Sequence, residues 1–143
     1  MSENIFKVFG EQTKETLLEI IAKCMDDYLY VYDLQNNTME LSESAVDRFM
    51  ISGNVINDVT NILLQVVYEE DRKMLQEHLT AICEGKEKVH NLHHRWLDKE
   101  GRPVWINCRG IVIDDSQGKP QYLVGCLNET GNQRRADTVS YTH

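Results

Sequence analysis

Three histidines within five positions, His90, His93 and His94, form the densest group of metal-type ligands in the chain. The segment around them, Val89 to Leu97, has the composition of a strand, and neighbouring strand side chains point to opposite faces. His93 and His94 therefore diverge. His90 and His94 share a face but lie about 13 Å apart at ~3.3 Å per residue, too far to hold one ion. Their expected role is structural, as half-buried members of cross-strand pairs. Cys24, Cys83, Cys108 and Cys126 contain no Cys-x-x-Cys pair, so a zinc knuckle has no local support and free thiols are the expectation. Nothing marks a nucleophile with its base. Glu69, Glu70 and Asp71 are accounted for by the positive end of a helix dipole. No catalytic residue and no metal ligand is assigned.

The elements that must position these groups follow from length and periodicity. The chain has 143 residues, 41% hydrophobic and 27% charged, enough for one domain with a packed core. Its formal charge of −8 disfavours nucleic acid and anionic lipid as partners. No apolar run approaches a bilayer span, and Met1-Ser2-Glu3-Asn4 does not open a secretory signal, so a cytoplasmic location is expected.

Residues 5 to 24 read as an amphipathic helix, with Leu17, Leu18, Ile20, Ile21 and Cys24 at helical spacing. Tyr28 to Asp33 and Thr38 to Leu41 read as a hairpin. A brief helix capped by Ser42 runs through Phe49, and an apolar helix runs from Asn57 to Val67. A long helix follows from Glu69, buried along Met74, Leu75, His78, Leu79 and Ile82 and stopped by Gly85. Val89 to Leu97, Pro103 to Asp114 and Gln121 to Asn128 are three strands joined by tight turns. The expected fold is α+β: a five-stranded antiparallel sheet, split two and three around helices, with helices on one face. Residues 131–143 read as a linker or tail.

This order resembles the PAS domain family over Asp26 to Thr130, in particular the sensory modules of bacterial signalling proteins. Arg95-Trp96-Leu97-Asp98-Lys99-Glu100-Gly101-Arg102-Pro103-Val104-Trp105-Ile106 is similar to the family's R-x-x-x-K-D-G-x-x-x-W-V hairpin, with Glu100 at the Asp position. Asp114 to Pro120 resembles its D-x-x-G-K-P turn. Tyr68-Glu69-Glu70-Asp71-Arg72 resembles the H-P-x-D-R start of the long helix, with His and Pro replaced. Asn128-Glu129-Thr130 stands where the closing D-I-T signature would be.

The resemblance implies a regulatory module, not an enzyme, with an interior cavity between sheet and helices. Alternation places Leu92, His94 and Trp96, then Ile106 and Cys108, then Leu123 and Leu127 on one sheet face, with Gly110 and Gly125 among them. By resemblance these look inward with Tyr30 and Tyr32 toward Met50 and His78. That set describes a small-molecule site and a filled core equally well. Flavin is not expected. Asn107-Cys108-Arg109 repeats the N-C-R of light-oxygen-voltage domains, but there it lies on a helix and here on a strand. Trp96 and Ile106 stand where flavin-binding asparagines would. Haem, through His78 as axial ligand, is a lesser alternative that lacks a distal pattern.

The last strand, ending in Asn128, Glu129 and Thr130, is expected to relay a shift in packing to a covalently attached output domain. Ala136-Asp137-Thr138-Val139 resembles the lead-in to a diguanylate cyclase domain, so the chain reads as a piece of a longer protein, with residues 140–143 open as to origin. Phe6, Phe9, Leu17, Ile20 and Cys24 form a seam for which a second copy of the chain is the expected partner, giving a ligand-free dimerisation module as the alternative function.

Overall fold

The computed structural model describes residues 27–130; the helix expected over 5–24, its dimerisation seam and the 131–143 tail lie outside the described residues. The elements run β1 (Tyr28–Asp33), β2 (Thr38–Leu41), α1 (Glu43–Arg48), β3 (Val55–Asn57) and α2 (Val59–Val66). A 3-10 turn (Glu69–Asp71) leads into α3 (Arg72–Cys83), followed by β4 (Val89–Leu97), β5 (Pro103–Asp114) and β6 (Pro120–Glu129). The six strands form one antiparallel sheet in the order β3-β2-β1-β6-β5-β4. The expected α+β architecture is therefore present with one strand more than the five anticipated. β3 has an exposed–buried–exposed pattern with only Ile56 turned inward. Three residues with one buried side chain give no alternation to detect. The helix expected to begin at Asn57 begins two residues later for the same reason.

Aspartate builds all three hairpins. Asp33 Oδ1 accepts the backbone N–H groups of Gln35 and Asn36, turning β1 into β2. Asp98 Oδ1 accepts those of Glu100 and Arg102, and Asp115 Oδ1 those of Gln117 and Lys119. These short-range acceptors mimic a backbone turn. They hold each carboxyl below its ordinary range, with the Asn36 side-chain amide the largest influence at Asp33. Gly101 and Gly118 close the last two turns at φ 79° and 81°, a region that a Cβ would strain.

The core lies between the sheet and the helices. Phe49, fully buried, stacks edge-on against Tyr28 and Trp96, each ring centre 5.3 Å away. Met50, expected to face inward, is 42% exposed instead. Phe49 bridges to Asp98 and the Met50 N–H donates to Leu97 O, so this stretch extends along the end of β4 and its side chains alternate. Phe49 takes the inner side and Met50 the outer. Met74 is likewise exposed, because the buried stripe of α3 runs through Leu75 and Ile82 and leaves Met74 on its margin. Ser42 stands at the N-cap of α1, but its Oγ accepts from the Leu29 N–H rather than from the helix.

Candidate functional site

The inner face of the sheet carries an uninterrupted file on β4: His90, Leu92, His94 and Trp96. His90, His94 and Trp96 are buried and Leu92 half-buried. His90 and His94 are thus buried outright, not half-buried as expected, because α3 lies over them, whereas His93 on the other face is exposed. His78 on α3 faces His90 with ring centres 4.7 Å apart.

Trp96 Nε1 donates to His94 Nε2 at 3.0 Å. A nitrogen that accepts cannot carry the proton, so this bond assigns the His94 proton to Nδ1. That Nδ1 is buried with no partner, as are His90 Nδ1 and His78 Nε2. Burial, reinforced by the nearby imidazoles, pulls the pKa of His90 down to about 3 and that of His94 down to about 4. Both rings are neutral at physiological pH.

Beside them, Tyr30 reaches across the sheet through a gap made of glycine. Gly110 and Gly125 pair with each other across β5 and β6, and Gly125 also pairs with Tyr30. A Cβ on Gly110 would fall 2.5 Å from the Tyr30 hydroxyl, and one on Gly125 would overlap the Arg109 carbonyl. The hydroxyl donates to Arg109 O at 3.1 Å and accepts from Cys108 Sγ at 3.4 Å. Burial raises the Tyr30 pKa well above the ordinary phenol value and pushes the Cys108 thiol up to about 12. A thiol so buried is no nucleophile at neutral pH.

A cavity of about 20 Å³ is lined by Tyr30, Tyr32, His90, His94, Trp96 and Cys108 from the sheet, with Leu123, Leu127 and residues of α2 and α3 closing it. That is room for about one water. Ile106 is fully buried nearby, whereas Met50 lies outside. Among the described residues, no group of three or more histidine, cysteine or carboxylate side chains is arranged to hold a metal ion.

Flavin does not fit these residues. Trp96 fills a flavin-asparagine position and spends its N–H on His94, Ile106 has no polar atom, and Cys108 is sealed beneath Tyr30.

Two charged junctions frame this interior. At the start of α3, Asp71 Oδ2 accepts from Arg95 N and Nε at 2.8 and 2.9 Å, and Oδ1 accepts from Nη2 at 2.8 Å. The Arg95 guanidinium holds the Asp71 carboxyl below its usual range. It also lies over the rings of Tyr68 and Trp105, at 4.4 and 4.6 Å from their centres. Helix-dipole reasoning missed this role of Asp71; the shared motif positions of Asp71 and Arg95 carried the only signal.

At the end of β6, Glu129 accepts from Arg48 Nε at 2.8 Å, Arg48 Nη2 at 3.0 Å and the Tyr28 hydroxyl at 2.6 Å. Asn128 Oδ1 and Thr130 Oγ1 are buried without partners, while the Thr130 N–H donates to Trp105 O. The three residues expected to relay a signal thus meet α1, β1 and β5 at one place.

The pattern of the PAS fold family matches residues 53–127, just over half of the chain. A sensory box histidine kinase/response regulator from Burkholderia thailandensis superposes with a TM-score of 0.66 at 17% identity, covering 87% of this chain and 92% of that one. The N-terminal domain of a diguanylate cyclase with PAS/PAC sensor from Marinobacter aquaeolei gives 0.63 at 15% identity, over 76% and 98%. A domain of a putative light and redox sensing histidine kinase from Haloarcula marismortui gives 0.62 at 16%, over 83% and 98%. At these identities the likeness is one of fold. No curated protein matches.

Proposed function

The chain belongs to the PAS fold family, and we propose that it serves as the sensory module of a signalling protein, relaying the state of its interior to an attached output domain. The observation that carries this reading is the cluster of buried, unpartnered imidazole nitrogens on His78, His90 and His94. Buried polar atoms are nearly always satisfied. Leaving three unpaired costs stability, about 1–3 kcal/mol for each, that a bound polar molecule would restore.

A ligand larger than one water must part α3 from the β4 file. That displacement moves His78 away from His90 and His94, while the Asp71–Arg95 junction holds the start of α3 to β4. Leu123 and Leu127 pass the change along β6 to Glu129. The output domain would follow residue 130, and a diguanylate cyclase is the type suggested by Ala136-Asp137-Thr138-Val139. On this reading the chain itself catalyses nothing.

Native mass spectrometry of the untreated protein tests the proposal. The expected result is a mass above that of the bare 16.6 kDa chain, released on denaturation and lost in His90→Phe. A bare mass from several expression conditions overturns it. That result would favour the second reading, a ligand-free interaction module, for which the water-sized cavity speaks.

A further inference from the structure

His78 on α3 and His90 and His94 on β4 form a layer in which His78 Nε2, His90 Nδ1 and His94 Nδ1 are buried without a partner. A neutral imidazole tolerates such a place at modest cost; an imidazolium does not, because burial penalises the charged form most. The groups facing the layer could not balance such a charge. Tyr30 and Tyr32 come from β1 and Cys108 from β5, and burial raises all three, so they stay protonated and neutral in acid. The other walls are apolar apart from the Trp96 N–H already given to His94. His78 works against charge on His90 and His94, as does His93 against charge on His94. Among the described residues, Asp71 is the one anion that favours it, and its carboxylate is already held by Arg95.

The cover over this layer is a helix pinned at its start. Asp71, just before α3, receives three hydrogen bonds from Arg95, and the Tyr68 N–H donates to Arg95 O. Beyond that junction α3 is laid on the sheet by an apolar stripe, Leu75, Leu79 and Ile82, with His78 beside it. The two regions respond to acid over different ranges. Arg95 holds the Asp71 carboxyl below its ordinary value, so the junction keeps its charges at pH 5. An imidazole released to water takes up a proton below about pH 6.5. Mild acid therefore acts on the layer and spares the junction.

We propose that the proton is itself a signal for this domain: acid places charge on His90 and His94 and so releases the body of α3 from β4, with the Asp71–Arg95 junction as the hinge. This rests on the reading that the domain relays the state of its interior. The direction follows from linkage. His90 and His94 titrate at about 3 and about 4 when covered but near 6.5 when exposed, so protons bind the open form. Between pH 7 and pH 5 each histidine multiplies the open-to-closed ratio roughly 25-fold, and the two together roughly 500-fold. An imidazolium at His94 can no longer accept from Trp96 Nε1, so the same charge breaks the bond that fixes the ring.

Hydrogen–deuterium exchange on the full 143-residue chain at pH 7 and pH 5, with rates corrected for the intrinsic effect of pH, tests the release. The amides of residues 76–83 should lose roughly 500-fold in protection, and at both pH values should be less protected than the Arg95 amide and β6. In His90→Phe the loss should shrink to roughly 25-fold. His90→Gln, neutral at every pH, serves should that variant unfold. Three results overturn the proposal: protection over 76–83 that ignores pH, a loss as large in the His90 variant as in the parent, or one common protection for α3, the Arg95 amide and β6, which would mean that acid only unfolds the whole domain. A chain that retains a polar molecule in native mass spectrometry yet keeps α3 protected at pH 5 overturns the proton and leaves the sensory reading standing.

Discussion

The Asp71–Arg95 junction, at the 3-10 turn that leads into α3, and the His78–His90–His94 layer, one turn and more along that helix, both face β4 and treat buried polarity in opposite ways. At the junction every charge has a partner: one carboxylate receives three hydrogen bonds and one guanidinium lies over two rings. In the layer, three imidazole nitrogens have none. Fully connected polar networks fix one geometry, whereas half-satisfied ones cost free energy and persist where a second state relieves them. The junction is thus the anchor on which α3 is hung, and the layer is the part free to change.

Acid should break the comparison most severely. His90 and His94 titrate near 6.5 when unfolded but near 3 and 4 when folded, so the unfolded chain binds more protons throughout the interval between. Stability therefore falls as pH drops below about 6.5, by roughly 2 kcal/mol per histidine at pH 5. The carboxylates at Asp71 and Glu129, with lowered pKa values, add their loss only at lower pH, below the ordinary carboxylate range. Urea midpoints at pH 7 and pH 5 measure the difference. A His90→Phe variant should show about half the fall.

Asp71→Asn comes next. It leaves the half-buried Arg95 with only the exposed Glu70, 3.6 Å away, as counter-ion, at a cost of about 3 kcal/mol, the lower end for a broken buried pair because that carboxylate and some solvent contact remain. Chemical denaturation at pH 7 reads it. A change under 1 kcal/mol would show that Glu70 and the stacking on Tyr68 and Trp105 hold Arg95 without Asp71.

Trp96→Phe sharpens the other side of the comparison. It deprives His94 Nε2 of its only donor and should cost about 2 kcal/mol. It also frees the ring to place its proton on either nitrogen, visible as a changed tautomer in the nitrogen NMR spectrum of His94.

Glu129→Gln should have the smallest effect on stability, about 1 kcal/mol or less, since Arg48 and Glu129 are only half-buried and solvent screens the pair. Its consequence should appear in exchange rates at residues 128–130, which rise when the end of β6 is no longer held to α1 and β1. Unchanged rates would remove Glu129 from the relay.

Much of the scaffold was legible because it rests on local chemistry. Tyr28–Asp33, Thr38–Leu41, Val89–Leu97 and Pro103–Asp114 announce themselves by alternation and by the Asp- and Gly-bearing turns between them. The inward set Tyr30, His94, Trp96, Cys108, Leu123 and Leu127 follows from the same alternation. What escaped notice lacked periodicity or depended on a distant partner. β3 is too short to alternate, Met50 lies on a segment whose direction is set by pairing with β4, and Asp71 is directed by an arginine 24 positions away.

The sequence by itself determined a sheet of hairpins with helices laid on one face, since strand period, turn chemistry and helical stripe are written within a few neighbouring residues. Tertiary structure alone decided that His90 and His94 are buried and neutral, that Gly110 leaves room for the Tyr30 hydroxyl while Gly125 admits the β5 backbone, and that the interior leaves room for about one water. Burial and the pairing of polar atoms are properties of what folds over a residue. For the histidine layer that cover is α3, whose own stripe names the face it buries but not the strand it meets.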